Sequence, residues 1–121
     1  MYDFQNLQIY QLAKLFHLDL CNLIRDLQLH RSVNDQLYRA SFSIPLNIAE
    51  ASGRFSNPDR RNFYVIARSS VFECVAILDI LHDQQLISDS KFNDYLEKSE
   101  NLSKILFSLI HAVRLNFSKK S

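Results

Sequence analysis

The sequence predicts an all-α fold, an antiparallel up-down-up-down four-helix bundle that forms a single domain over residues 1–121. Apolar residues recur with the 3.6-residue period of a helix along almost the whole chain. Only one glycine and two prolines are present, too few to supply the turns of an antiparallel sheet. The periodic segments are separated by three short connections, and short connections favour consecutive helices that pack side by side.

The first helix is predicted over residues 4–28 and the second over residues 33–52. The apolar stripe of the first consists of Ile9, Ala13, Phe16, Leu20, Leu23 and Leu27. Ser32 is the expected N-cap of the second helix, whose apolar stripe stays in phase across Pro45. Gly53 follows the last periodic residue, at a C-cap position where a positive φ angle is expected.

The third helix is predicted over residues 58–84 and the fourth over residues 89–116. Ser56 followed by Pro58 and Asp59 is a strong helix start, with a polar cap, proline in the first turn and an acidic group near the N-terminal dipole. The third helix carries apolar residues nearly all round, a pattern typical of a buried helix.

The apolar arcs of the second and third helices are wider than a monomeric bundle needs. On the second helix the arc covers about 200°, whereas one helix of a monomeric bundle buries an arc of about 100°. Because the surplus is contiguous, it predicts association with further copies of the chain. The alternative is ordinary scattered exposure of apolar side chains.

Several classes of site are excluded or disfavoured by composition. One glycine rules out a glycine-rich phosphate loop, and no apolar run approaches the roughly 18 residues of a membrane span. The polar amino-terminal residues lack the regions of a secretory leader. Two cysteines without motif spacing are typical of free thiols, which predicts a cytoplasmic protein. No metal, cofactor, small-molecule substrate or catalytic Ser/His/Asp or Cys/His set is expected, so an enzyme is disfavoured.

The near-neutral total charge conceals a separation along the chain. The net charge is positive over residues 31–68 and 102–121 and negative over residues 1–30 and 69–101. Folding the bundle up and down would gather basic residues at one end, and these are the candidate nucleic-acid contacts: Arg54, Arg60, Arg61, Arg68, Arg114, Lys119 and Lys120. The opposite end would collect acidic residues, offset by Arg25 and Arg31: Asp79, Asp83, Asp89, Asp94, Glu97 and Glu100.

Glu73 is expected to need a partner, because it projects between Ile66 and Ile80 on the predicted third helix. Arg39 and Asn47 on the second helix are the candidates. An ion pair between Arg39 and Glu73 would tie the two helices together.

Two segments resemble a known family. Residues 36–51 read Q-L-Y-R-A-S-F-S-I-P-L-N-I-A-E-A, and residues 63–73 read F-Y-V-I-A-R-S-S-V-F-E. They are similar to the signature of a bacterial four-helix-bundle family encoded in intervening sequences of large-subunit ribosomal RNA genes. The chain departs from that pattern at Tyr38, Ala51 and Ser69, where the family usually has arginine, glycine and glycine. Because Tyr38 stands where the family usually has an arginine, any basic patch inferred from the family is weaker in this chain.

The resemblance implies a ring-like homopentamer. It also implies kinship with the accessory variability proteins of diversity-generating retroelements, which bind nucleic acid and a reverse transcriptase. The family positions that this chain keeps are interpreted as fold- or assembly-determining before ligand-binding: Arg39, Asn47, Glu50, Ser70 and Glu73.

Together these observations favour a non-enzymatic homo-oligomer that binds RNA or DNA through its basic end. The alternative is an adaptor whose surplus apolar surface meets a partner protein. A dipolar surface with no specific ligand is a third interpretation of the charge pattern, and no exposed aromatic–basic ladder suited to stacking single strands is recognisable.

Overall fold

The computed structural model describes the backbone of residues 2–120 and the side chains of residues 2–113. A short 3₁₀ turn, Asp3–Asn6, precedes four α-helices: α1 (Gln8–Leu27), α2 (Arg31–Ser52), α3 (Asn57–Asp83) and α4 (Asp89–Lys120). The predicted all-α four-helix fold is therefore confirmed. Relative to the prediction, the first segment divides into a turn and a helix, and α4 extends past residue 116. Over the described stretch, no helix has the length and apolarity needed to cross a membrane.

The four helices surround one hydrophobic core. Each helix packs along its neighbours in the chain, and α1 also contacts α4, although much less extensively. The predicted stripe of α1 is buried from Ile9 to Leu23, which confirms that part of the sequence analysis. All four helices contribute large, almost fully buried side chains: Phe16, Leu20, Leu37, Ile44, Ile48, Leu78, Leu102 and Leu106.

One predicted N-cap is confirmed and the other is wrong. The Ser56 hydroxyl accepts a hydrogen bond from the Asp59 backbone N–H at 3.3 Å, as expected for the cap of α3. Ser32, in contrast, lies inside the first turn of α2. The cap is His30, whose Nδ1 accepts from the Ser32 N–H at 3.2 Å. The His30 imidazole thus satisfies one of the N–H groups that the first turn of a helix leaves without a backbone partner.

The expectation of a positive φ angle at Gly53 is also wrong. Its φ is −88°, because α2 closes with a tight right-handed turn in which the Gly53 N–H donates to the Glu50 carbonyl at 3.1 Å. The left-handed conformations fall instead on Gln28, with φ 48°, and on Gln85, with φ 63°. Gln28 is the C-cap of α1, and Gln85 lies in the connection between α3 and α4.

The helix α3 is not buried all round in the single chain. Val65, Ile66, Phe72 and Ile80 are exposed, Ile80 by 58%. Only α2 and α4 pack extensively on α3, one on each flank, so its outward face stays open. The apolar surplus predicted from the sequence is thus present as exposed surface.

Candidate nucleic-acid interface

The predicted basic residues divide between two neighbouring parts of the fold. Arg54 and Arg60 lie where α2 ends and α3 begins, while Arg61 and Arg68 face a groove between α3 and α4. The side chains of Arg114, Lys119 and Lys120 lie outside the described residues. The described part of the basic end therefore consists of four arginines.

Arg54 and Arg60 belong to a surface cluster at the helix connection. Arg54 Nη2 lies 3.0 Å from Glu50 Oε2, and the Arg54 guanidinium carbon lies 4.6 Å from the centre of the Phe63 ring. Arg60 Nη2 donates to the Arg54 backbone carbonyl at 2.9 Å. Since the Arg54–Glu50 pair is solvent-exposed, it contributes about 0–1 kcal/mol to stability. The pair offsets the charge of Arg54, whereas Arg60 forms no ion pair with a described carboxylate.

The groove between α3 and α4 has a volume of about 460 Å³ and combines cations with aromatic rings. Arg68 Nε donates to the Ser103 carbonyl at 3.3 Å. Its guanidinium carbon lies 4.8 Å from the Phe72 ring centre and 5.5 Å from that of Phe107. These contacts hold the Arg68 charge in a fixed position between two rings that are themselves more than half exposed.

Helix geometry explains this cluster. Arg61, Arg68 and Phe72 are seven and four residues apart, so they follow one face of α3. Phe107 and His111 are four residues apart on α4, and their rings lie nearly parallel, 4° between planes and 6.2 Å between centres. No exposed aromatic–basic ladder is recognisable in the sequence, whereas the structure brings Arg68, Phe72 and Phe107 together in one exposed cluster. Each helix carries only half of the cluster, and the sequence does not give the rotation that turns the two halves toward each other.

Four of the five residues carried over from the family resemblance line a second groove, of about 860 Å³, between α2 and α3: Arg39, Asn47, Ser70 and Glu73. The fifth, Glu50, pairs with Arg54 instead. Asn47 Nδ2 donates to the Ser43 carbonyl at 2.8 Å, and the Ser70 hydroxyl donates to the Ser43 hydroxyl oxygen at 2.9 Å. This short chain of hydrogen bonds joins α2 to α3. Such a role agrees with the interpretation of Asn47 and Ser70 as fold-determining.

The expected ion pair between Arg39 and Glu73 is absent from the described side chains. Both residues line the same groove, but both are exposed, so hydration removes the need for a partner. Asn47, the other candidate partner of Glu73, is engaged with Ser43 instead.

Some of the acidic residues expected at the other end have polar partners, and these are side chains other than Arg25 and Arg31. Lys98 Nζ lies 2.8 Å from an Asp19 oxygen and 3.0 Å from an Asp94 oxygen. These hydrogen bonds raise the pKa of the Lys98 ammonium. His82 Nε2 lies 2.7 Å from Asp89 Oδ1. No group of three or more metal-ligating side chains occurs among the described residues.

A Cys–His pair that was not assigned from the sequence lies on α1, and its imidazole contacts α2. His17 Nδ1 is 2.7 Å from the Ser41 hydroxyl, which donates to the Tyr38 carbonyl at 3.1 Å, and Cys21 Sγ is 3.5 Å from His17 Nε2. Burial lowers the pKa of His17 and raises the pKa of Cys21. Both groups are therefore neutral at pH 7, and a neutral thiol is a poor nucleophile. The His17 ring packs between Tyr38 and Phe42, which makes it part of the α1–α2 contact.

The lowered pKa of His17 predicts a loss of stability in mild acid. As the pH falls below 6.5, the ordinary pKa of histidine, His17 becomes protonated in the unfolded chain but stays neutral in the folded chain. Because the unfolded chain then binds more protons, the free energy of unfolding falls as the pH decreases. We expect urea unfolding followed by circular dichroism to show a lower midpoint at about pH 5.5 than at about pH 7.5. His17→Gln should lessen this difference, whereas His111→Gln, at an exposed site, should preserve it. An identical pH dependence in the His17→Gln variant would contradict the assignment.

Comparisons with known proteins agree with this geometry. A crystal structure of a protein of unknown function from the S23 ribosomal protein family of Bacteroides thetaiotaomicron VPI-5482 shares the fold, with a TM-score of 0.79 and 24% sequence identity. The alignment covers 84% of this chain and 97% of that one. No curated protein matches significantly. The model of the 23S rRNA-intervening sequence protein family matches residues 5–108, which include both signature segments. The chain therefore belongs to the 23S rRNA-intervening sequence protein family.

Proposed function

We propose that this protein is a non-enzymatic, homo-oligomeric helical bundle that binds RNA or DNA through its basic end and acts in the cytoplasm. One observation carries the proposal: Arg60, Arg61 and Arg68 lie within the first four turns of α3, and none forms an ion pair with a described carboxylate. Guanidinium groups that are left uncompensated are suited to phosphate oxygens, which they contact through several donors in a fixed geometry.

The assembly we propose is a ring-like homopentamer of up-down-up-down bundles. The short connections support the up-down order, and the exposed side chains of Ile66 and Ile80 on α3, which lie outside the groove with α4, supply a surface for a second copy. The family resemblance suggests five subunits. Repeated around a ring, the basic end of each subunit would join its neighbours in a cationic collar, and this would multiply the weak attraction of one subunit for phosphates.

Charge reversal at the start of α3 tests the proposal. We expect Arg60→Glu/Arg61→Glu to weaken binding to a labelled RNA oligonucleotide by at least about tenfold at 50 mM salt. The slope of log affinity against log salt should fall by about two, because two phosphate contacts are lost. Fluorescence anisotropy measured from about 50 to about 200 mM salt gives both values.

Arg31→Glu/Lys91→Glu is the matched control, since it changes the net charge equally but alters the starts of α2 and α4. The control should bind nearly as well as the parent protein. If Arg60→Glu/Arg61→Glu bound as tightly as the parent, or if the control lost as much affinity, the basic end would not be the binding surface.

A second candidate function is supported by the exposed apolar stripe of α2, which consists of Tyr38, Phe42 and Leu46. On this alternative the protein is an adaptor for a partner protein, such as a reverse transcriptase, and does not bind nucleic acid. The salt dependence of binding distinguishes the two functions. Binding to nucleic-acid phosphates weakens steeply as the salt concentration rises, whereas an apolar contact with a partner protein changes little.

A further inference from the structure

We propose that the groove between α3 and α4 holds an unpaired nucleobase, so that the nucleic acid bound by this protein is single-stranded. The inference rests on the proposed function and specifies the substrate class of the same basic surface. It is carried by three features of the groove: its exposed rings, its uncompensated cations and its size.

The exposed rings provide a stacking platform. Phe72 is 55% exposed and Phe107 is 57% exposed, although phenylalanine has no polar group that solvent would favour. The ring of His111 lies nearly parallel to that of Phe107, with 6.2 Å between the ring centres. Every nucleobase offers a flat π face, and stacking on such side chains tolerates any base sequence.

The cations are placed to receive the phosphates that flank a stacked base. Arg61 and Arg68 both line the groove, and neither forms an ion pair with a described carboxylate. Arg68 is held beside the rings by Ser103. Among the described residues, no carboxylate lines the groove. An anionic ligand therefore meets two guanidinium groups there and no opposing charge.

The size of the groove favours an unpaired base over a duplex. Its volume of about 460 Å³ lies within the range of about 300–1,000 Å³ that is typical of small-ligand pockets. In a duplex the base faces are covered by neighbouring bases and only the base edges are presented in the grooves. Phe72 and Phe107 can therefore stack only on a base that has left the helix or that belongs to a single strand.

The same rings could instead contact an apolar surface of a partner protein or of a second copy. Such a contact would bury the guanidinium groups of Arg61 and Arg68 against apolar groups, at a cost in free energy. A phosphate would instead pair with these guanidinium groups. The charges of the groove therefore favour a nucleotide.

Three labelled probes test the inference: a short oligothymidylate, an abasic strand of equal length, and a duplex of equal length. The abasic strand keeps the phosphates and removes the bases. We expect the protein to bind the oligothymidylate about tenfold more tightly than the abasic strand. Phe107→Leu should abolish most of that difference, because leucine keeps the apolar contact but lacks a ring. Phe72→Leu is a second variant with the same expected result.

Phe42→Leu is the matched control, since Phe42 is a partly exposed phenylalanine on α2, outside the groove. It should retain the preference for the oligothymidylate. Circular dichroism and the mass in solution should stay unchanged in all three variants, because these rings are not part of the core.

The outcomes separate this inference from the proposed function. Binding that depends on salt and on Arg60 and Arg61, but is equal for all three probes or unaffected by Phe107→Leu, would overturn the stacking site alone. A parent protein that binds none of the probes at low salt would overturn both. A change of mass in Phe107→Leu would show that the groove is a contact between copies and would also overturn the stacking site.

Discussion

Replacing Phe16 with alanine is expected to lower the free energy of unfolding by about 3–5 kcal/mol. Phe16 is 1% exposed and lies in the middle of α1, where its ring fills the core formed by all four helices. Alanine removes the apolar contacts and leaves a cavity that the surrounding helices fill only in part. Because domains are stable by about 5–15 kcal/mol, the loss is a large fraction of the total. Urea unfolding at one fixed protein concentration measures it.

Phe55→Ala is the matched control for this measurement. The Phe55 ring lies in the connection between α2 and α3 and is 102% exposed, so the same chemical change should shift the free energy of unfolding by less than about 0.5 kcal/mol. Equal losses in the two variants would show that α1 does not pack on the core as described.

Ile66→Glu is expected to dissociate the proposed oligomer into single chains. Ile66 lies on the outward apolar face of α3 and is 44% exposed in the single chain. A monomer therefore tolerates glutamate there, whereas a buried interface would have to desolvate an unpaired carboxylate, at a cost of several kcal/mol. Size-exclusion chromatography with light scattering should show a shift from a pentamer, five chains of 14.2 kDa each, to one chain.

Leu86→Glu controls for the added charge and the lost apolar surface. Leu86 is also 44% exposed but lies in the connection between α3 and α4, away from the face of Ile66. It should keep the mass of the parent protein. A parent that is already monomeric, or an Ile66→Glu variant with the parental mass, would contradict the assembly on this face.

The sequence predicts the helices and the core well because the spacing of apolar residues indicates which face of each helix is buried. The stripe from Ile9 to Leu23 and the Ser56 cap of α3 both depend on residues that are close in sequence. The same periodicity does not tell which neighbour covers a face. The helix α3 was therefore predicted to be buried, although Ile66 and Ile80 have no covering helix in the single chain.

The candidate site could be predicted only in part, for a related reason. Charge alone indicates a basic end, but the position of Arg68 between Phe72 and Phe107 depends on the relative rotation of α3 and α4. The contact between His17 and Cys21 could have been predicted from the sequence, since the two residues are four apart on one helix. The orientation of the imidazole could not, because it is fixed by Ser41 on α2.

The limited contact between α1 and α4 makes their boundary the weakest of the helix–helix contacts in the bundle. An opening that separates α1 from α4 breaks fewer contacts than one that separates α2 from α3 or α3 from α4. The groove and the outward face of α3 lie on helices that such an opening leaves packed together. During synthesis α1 leaves the ribosome before the other three helices, and its contact with α4 forms only after α4 has been made.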